Sequence, residues 1–214
     1  MGIFNFLKRN TDIKSNKTES LPEAENKFTS KTYIELEEFL YLANKMVINN
    51  NASTNTANIK AFIKDEISEN ELSVVKEEIK YFMFCLLHFY TYVEITLNKK
   101  ILNLNDEKAL NHFKTISYYS LDRSFLTSLN DFDYSLEKYK NRYENYTHYL
   151  GIYKYQDFER SFLECFTVQL SGGFNDNTLS LNIDPIQILL TARWVYKTYG
   201  ESTKLTLNKQ NFII

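Results

Sequence analysis

The sequence predicts an all-α, single-domain bundle of about six to eight helices, and three observations carry that prediction. Apolar residues recur at three-then-four spacing along Leu72, Val75, Ile79, Phe82, Leu86, Phe89, Val93 and Leu97, and again along Leu129, Phe132, Leu136, Tyr139, Tyr143, Tyr146, Leu150 and Tyr153. That period places each set on one stripe of a helix, which must be buried against another element. Only 5 Gly and 2 Pro interrupt the 214 residues, too few breakers for a sandwich or barrel of short strands. An apolar fraction of 43%, with 16 Phe and 16 Tyr, supplies large side chains for one core.

Taken in order, residues 1–30 read as a mobile N-terminal segment and linker, and residues 31–214 as one helical domain. Ile3, Phe4, Phe6 and Leu7 form a short amphipathic piece before Lys8 and Arg9; residues 10–30 are polar and without period. The short piece is expected to fold back on the body or to move freely, with contact at a membrane surface as the lesser alternative. A helix over about 32–48 has Leu36, Phe39, Leu40, Ala43, Met46 and Val47 inside. The Asn-rich run from Asn49 is a loop, and a shorter helix spans about 57–67. Ser68 with Glu71 makes a capping box that opens the first long helix, about 69–101 and on the order of 50 Å in length.

Asn105 and Asp106 restart the chain into a helix of about 106–117. The second long helix covers about 122–150, with a break expected near Asp131 or Asp133 and its end at Gly151. A helix of about 155–170 precedes the turn at Gly172-Gly173. The last helix has Asp184 as cap, Pro185 in its first turn, Gln187 closing the box and Gly200 after its end. The alternating segments 178–182 and 204–208 are expected to pair as a small two-stranded element.

Several function classes are disfavoured at once. With 25 basic and 27 acidic residues, a dedicated electrostatic nucleic-acid binder is not expected. The longest apolar run, Tyr81 to Tyr90, is too short to span a bilayer, and the first nine residues lack the length of a secretory signal. Cys85 and Cys165 read as reduced, buried thiols. Phosphate-loop, dinucleotide, nucleophile-elbow and zinc-protease motifs are missing, so no cofactor and no metal are expected. Richness in Asn, Lys, Ile and Tyr suggests an AT-rich bacterial or phage genome and a cytoplasmic protein.

Three constellations bear chemistry. Arg142 and His148 are separated by five residues, and the run Arg142-Tyr-Glu-Asn-Tyr-Thr-His148 resembles the Arg-x(4–6)-His signature of HEPN ribonucleases. The resemblance implies that Arg142 holds a scissile phosphate and His148 transfers protons, without a metal and with RNA as the partner. Glu35 with Glu38, and Glu66 with Glu69, followed by Glu77 and Glu78, are similar to the paired carboxylates of all-α nucleotide pyrophosphohydrolases. That resemblance implies Mg²⁺ held against nucleotide phosphates. Cys85-x-x-His88 is half a metal site at helical spacing, and His88 among aromatics reads as a core histidine bonded to backbone or a tyrosine hydroxyl.

The leading expectation is nevertheless a non-catalytic helical protein that binds another macromolecule, most simply a protein, in an immunity or defence-modulating role. Its expected contact residues are Trp194 and Arg193 on the last helix, with Tyr149 and Tyr155 off the tyrosine ladder. An acidic or mixed surface patch would accompany such a role.

Overall fold

This computed structural model describes residues 32–50, 54–63, 67–96, 101–102, 106–127, 134–152, 157–171, 181, 183–208 and 210–213. The N-terminal segment 1–31, Tyr155, Glu66, Gly172, Gly173 and residues 178–180 and 182 lie outside the described residues, as do Leu97, Leu129, Phe132 and Tyr153 of the two ladders.

The fold is all-α in class, and its axis is the first apolar ladder. Ser68 and Glu71 close their box as the spacing predicts. The Ser68 amide donates to Glu71 Oε2 at 2.9 Å, and the Glu71 amide donates to Ser68 Oγ at 3.2 Å. Strand β1 (Thr32–Glu35) leads into helix α1 (Leu36–Ile48), followed by the short α2 (Thr56–Lys60) and the long α3 (Glu69–Thr96). Every residue from Glu78 to Phe89 of α3 is buried, not just the ladder stripe. A helix buried all round is a central one.

Around it stand α4 (Asp106–Leu126), α5 (Leu136–Ile152), α6 (Phe158–Leu170) and α7 (Pro185–Val195). Aromatic rings tie α3 to α5 and α6. Phe82 meets Tyr146 at 5.8 Å and Phe166 at 5.0 Å, Phe89 meets Phe162 at 5.6 Å, and Tyr146 stacks on Phe162 at 4.9 Å between centroids. Such pairs add to area burial, which explains the tyrosine-rich ladder on α5. Helix α1 closes the bundle against α4, and α6 packs on both α5 and α7.

Several boundaries differ from the expectation. Helix α2 ends at Lys60 rather than near 67, and α3 ends at Thr96 with Ile101 in a strand. Residues 32–35 are strand rather than the first turn of a helix. The second long helix is interrupted in the region where a break is expected, but residues 122–126 complete α4, which runs past 117, and α5 begins at Leu136. Helix α5 also runs through Gly151 to Ile152. At the C-terminal end the chain does not stop at Gly200. It passes through one π-helical turn (Tyr196–Gly200) into α8 (Glu201–Leu207). Residues 204–207 are therefore helical, and the expected strand at 204–208 is overturned: Thr203, Thr206 and Leu207 are buried at helical spacing, and that burial outweighs the local alternation.

The strands that do form are β1, β2 (Ile101–Leu102) and β3 (Gln210–Ile213), in the order β1-β3-β2 and all parallel, with Thr32 opposite Gln210 and Ile101 opposite Phe212. Phe212 is buried and meets Phe39 of α1 edge-on at 5.2 Å, so the ribbon is packed on helices as so short a sheet requires.

Candidate functional site

The Arg142 and His148 pair is drawn apart by the helix that carries both. Arg142 is 1% exposed and Glu78 on α3 is 2% exposed. Nε donates to Glu78 Oε2 at 2.9 Å and Nη2 to Oε1 at 2.8 Å, a bidentate pair. The Gln169 amide oxygen, turned toward the guanidinium, accepts from Nη1 at 2.8 Å. Lys138 adds a contact to Glu77 at 2.7 Å and to Glu78 at 3.4 Å. Arg142 thus spends its fork on a buried carboxylate and is closed off from a phosphate. His148 lies on the exposed side of α5, its ring edge against Tyr149.

The paired carboxylates are also engaged in ion pairs within the fold or set apart. Glu35 is exposed at the end of β1, and Glu38 with Glu37 holds Arg123 of α4 at 3.5 and 3.2 Å. Glu69 sits exposed in the first turn of α3. Among the described residues no group of three or more His, Cys, Asp or Glu side chains converges as a metal site.

His88 is fully buried. Its Nε2 lies 3.0 Å from the Asn44 side-chain oxygen, and its Nδ1 meets the Tyr139 hydroxyl. The Asn44 oxygen can only accept, so Nε2 carries the proton and Nδ1 accepts from Tyr139. Burial holds the imidazole down to about 3 and pushes the Tyr139 hydroxyl well up. His88 is the core histidine its aromatic setting suggests. Cys85 and Cys165 are both free and buried, and burial raises both thiols, so neither is a ready nucleophile.

The expected contact residues are distributed differently. Trp194 is half-buried and stacks on Phe62, with centroids 5.6 Å apart, fastening the turn after α2 to α7. Arg193 is exposed and pairs with Glu159 at 3.7 Å. Tyr149 is half-buried and lines a surface groove of about 360 Å³ with Glu164, Thr167, Val168, Pro185, Ile186 and Leu189. A second depression of about 340 Å³ lies beside it, lined by Asp157, Glu159, Arg160, Leu163, Glu164, Leu189 and Arg193. The two share Glu164 and Leu189, making one face across α5, α6 and α7.

That face is apolar in the middle and of mixed charge at the rim. Ile186 is 64% exposed and Leu189 38%, and Leu190 beside them is 45% exposed. The Arg160–Glu164 pair at 2.8 Å and the Arg193–Glu159 pair set both signs of charge along the edge. The spacing of Ile186, Leu189, Leu190 and Arg193 is i, i+3, i+4, i+7, a helix-docking stripe. These leucines and the isoleucine were not singled out from sequence. The available signal was that Pro185–Val195 is apolar on nearly its whole circumference, while Ile188, Ala192 and Val195 suffice for the core.

Comparison of the chain with protein-family models, curated proteins and solved structures returns no match. Among the described residues no helix is long and apolar enough to cross a membrane.

Proposed function

We propose that this chain is a non-catalytic binding protein that seats an amphipathic helix of another protein in the groove between α5, α6 and α7. In biological terms this is the immunity or defence-modulating role of a cytoplasmic bacterial or phage protein. The observation that carries the reading is the exposure of Ile186 and Leu189 beside Tyr149 and Val168, with a rim of fixed ion pairs. Large apolar side chains left together at a surface mark interaction sites. A groove with an apolar floor and both signs of charge on its edge fits a helix bearing apolar anchors at i, i+3, i+4 and i+7. Tyrosine contributes rigid contact area at low entropic cost.

The test is co-purification with the products of the adjacent open reading frames, followed by titration of whichever product binds. Tyr149→Ala, Val168→Asp and Leu189→Asp should each weaken that complex by roughly tenfold or more, the range of interface anchors. Leu126→Asp, on α4 and away from the groove, should bind as wild type. Groove variants that keep full affinity while folded would remove the reading.

A further inference from the structure

We infer that residues 3–9 of this same chain seat themselves in the groove between α5, α6 and α7 and shield it until a partner helix displaces them. The inference rests on the groove being a seat for an amphipathic helix, and it names what fills that seat in the free protein. Ile3, Phe6 and Leu7 stand at i, i+3 and i+4, with Phe4 three residues before Leu7. That is the anchor spacing such a groove takes. Lys8 and Arg9 follow at once, and residues 1–10 contain no acidic side chain. A helical segment of this length extends about 10 Å, which matches the distance along α7 from Ile186 to Arg193 at 1.5 Å per residue.

Charge and the place where the tether enters select this occupant and its direction. One end of the groove is apolar, lined by Tyr149, Val168, Pro185 and Ile186; the other is charged, lined by Asp157, Glu159, Arg160, Glu164 and Arg193. Arg160 is matched by Glu164 at 2.8 Å and Arg193 by Glu159 at 3.7 Å. Asp157, exposed and capping α6 by accepting from the Arg160 amide at 2.9 Å, is the carboxylate in surplus. Burial pushes the Tyr196 hydroxyl up, and the charges of Glu159, Asp157 and Glu201 push it further, so exposed Glu201 adds to the acidity of this end. Lys197 lines neither depression. The segment has the complementary order, apolar residues first and two cations after them.

The tether enters from the same end. Backbone angles at Tyr196, Gly200 and Glu201 are all helical, so α7, the π turn and α8 form one continuous rod that ends at Leu207. Gln210 lies just beyond that rod and pairs with Thr32, which puts Thr32 on the Arg193 side of the groove, away from Ile186. The path from Arg193 to Gln210 is no more than about 31 Å. A coil the length of residues 10–31 averages about 26 Å and reaches about 70 Å when extended. Such a tether holds the segment at an effective concentration on the order of millimolar. Both considerations give one direction: the segment runs parallel to α7, with Ile3 toward Ile186 and with Lys8 and Arg9 toward Asp157 and Glu159.

Disulfide trapping in the full chain tests this, with Cys85 and Cys165 buried and so kept out of the reaction. Under mild oxidation, Ile3→Cys with Ile186→Cys should close a disulfide within one chain, read as a shifted band of single-chain mass. Ile3→Cys with Leu126→Cys on α4, and Asn10→Cys with Ile186→Cys, should each trap about tenfold less, the first by place and the second by direction. Lys8→Glu/Arg9→Glu added to the first pair should lower trapping about threefold or more. A bond between two chains makes a second copy the occupant and overturns the inference, as does equal trapping at Leu126. It is likewise overturned if nothing is trapped while phosphatidylserine vesicles retain the wild-type chain and release Phe6→Asp/Leu7→Asp, which gives the segment to a lipid surface. Phe6→Asp/Leu7→Asp should also bind a groove partner about threefold or more tightly than wild type. Trapping as expected with no partner found supports the seat in cis and removes only the groove's helical partner. A bound partner whose affinity Phe6→Asp/Leu7→Asp does not move, in a chain that traps nothing, overturns this inference alone.

Discussion

Arg142 shows how one buried side chain sets what can be tested. Its guanidinium is matched in two hydrogen bonds to Glu78, a residue on another helix, and neither group reaches solvent. Removing one partner leaves the other charge buried and uncompensated, at a cost of about 3–5 kcal/mol. Arg142→Ala should therefore lower the stability read from urea unfolding by that amount. Arg142→Met with Glu78→Leu should cost less than the sum of the two single changes. An Arg142→Ala protein within about 1 kcal/mol of wild type would mean the pair is not closed as described. Any ribonuclease assay must accordingly rest on His148→Ala, since loss of activity in an Arg142 variant reports unfolding as readily as chemistry. Lys80 is a second case. Its ammonium, 6% exposed, donates to the carbonyls of Val47 and Ile48 at 2.8 Å and of Asn50 at 2.9 Å, filling its three donors at the end of α1. Val47 also accepts from the Asn50 amide at 3.1 Å, and Asn50 from the Thr54 hydroxyl at 3.4 Å. Burial draws its pKa down to about 8, which leaves it charged at neutral pH. Lys80→Met keeps the stem but takes the Lys80 donor from the Ile48 carbonyl while Val47 and Asn50 keep their other donors, so it should cost about 1–3 kcal/mol.

At the scale of elements, the capped helices were legible and the interrupted ones were not, for a physical reason. Ser68 with Glu71 and Asp184 with Pro185 are local devices whose donors and acceptors lie within three residues, so spacing alone finds them. Gly200 carries the same local signal as a glycine after a helix end, but it stands inside a helix with φ −63° and ψ −46°. What keeps the chain helical there is long-range: the Tyr196 hydroxyl meets that of Tyr90 at 2.6 Å, and the π turn is packed on α3. A Cβ placed on Gly200 would lie 3.6 Å from Tyr90 Cε2 and 3.7 Å from Leu86 Cδ1, ordinary contact distances. Gly200→Ala should then raise stability by about 0.5–1 kcal/mol through reduced backbone freedom of the unfolded chain. A drop in melting temperature instead would show that the π turn needs the glycine. The site followed the same division. Separation along the chain links Arg142 to His148 and says nothing of Glu78 on another helix, 64 residues away. The exposed face of α7 depends on which side of an apolar helix the bundle covers, and that is decided only when α6 packs on it.

For the molecule as a whole, the inward folding of both ladders makes α3 the axis, and His88 lies on that axis with its imidazole neutral. The sign of its effect on stability follows. Unfolded, the ring takes a proton near its ordinary value of 6.5; folded, burial delays protonation to about 3. Between those values the unfolded chain binds more protons, so stability rises with pH through the window and its contribution is complete above 6.5. It falls by up to about 1.4 kcal/mol for each unit of acidification below that. Urea unfolding of wild type and His88→Gln at steps from pH 7.5 to pH 4.5 isolates this effect from that of the carboxylates, which both proteins share. Gln cannot take up the proton, and it retains a donor and an acceptor for Asn44 and Tyr139. The variant should be the less stable protein at pH 7.5, and its deficit should shrink steadily as the pH falls through 6.5. A deficit that stays constant across the range would place the acid sensitivity elsewhere and leave His88 as packing alone.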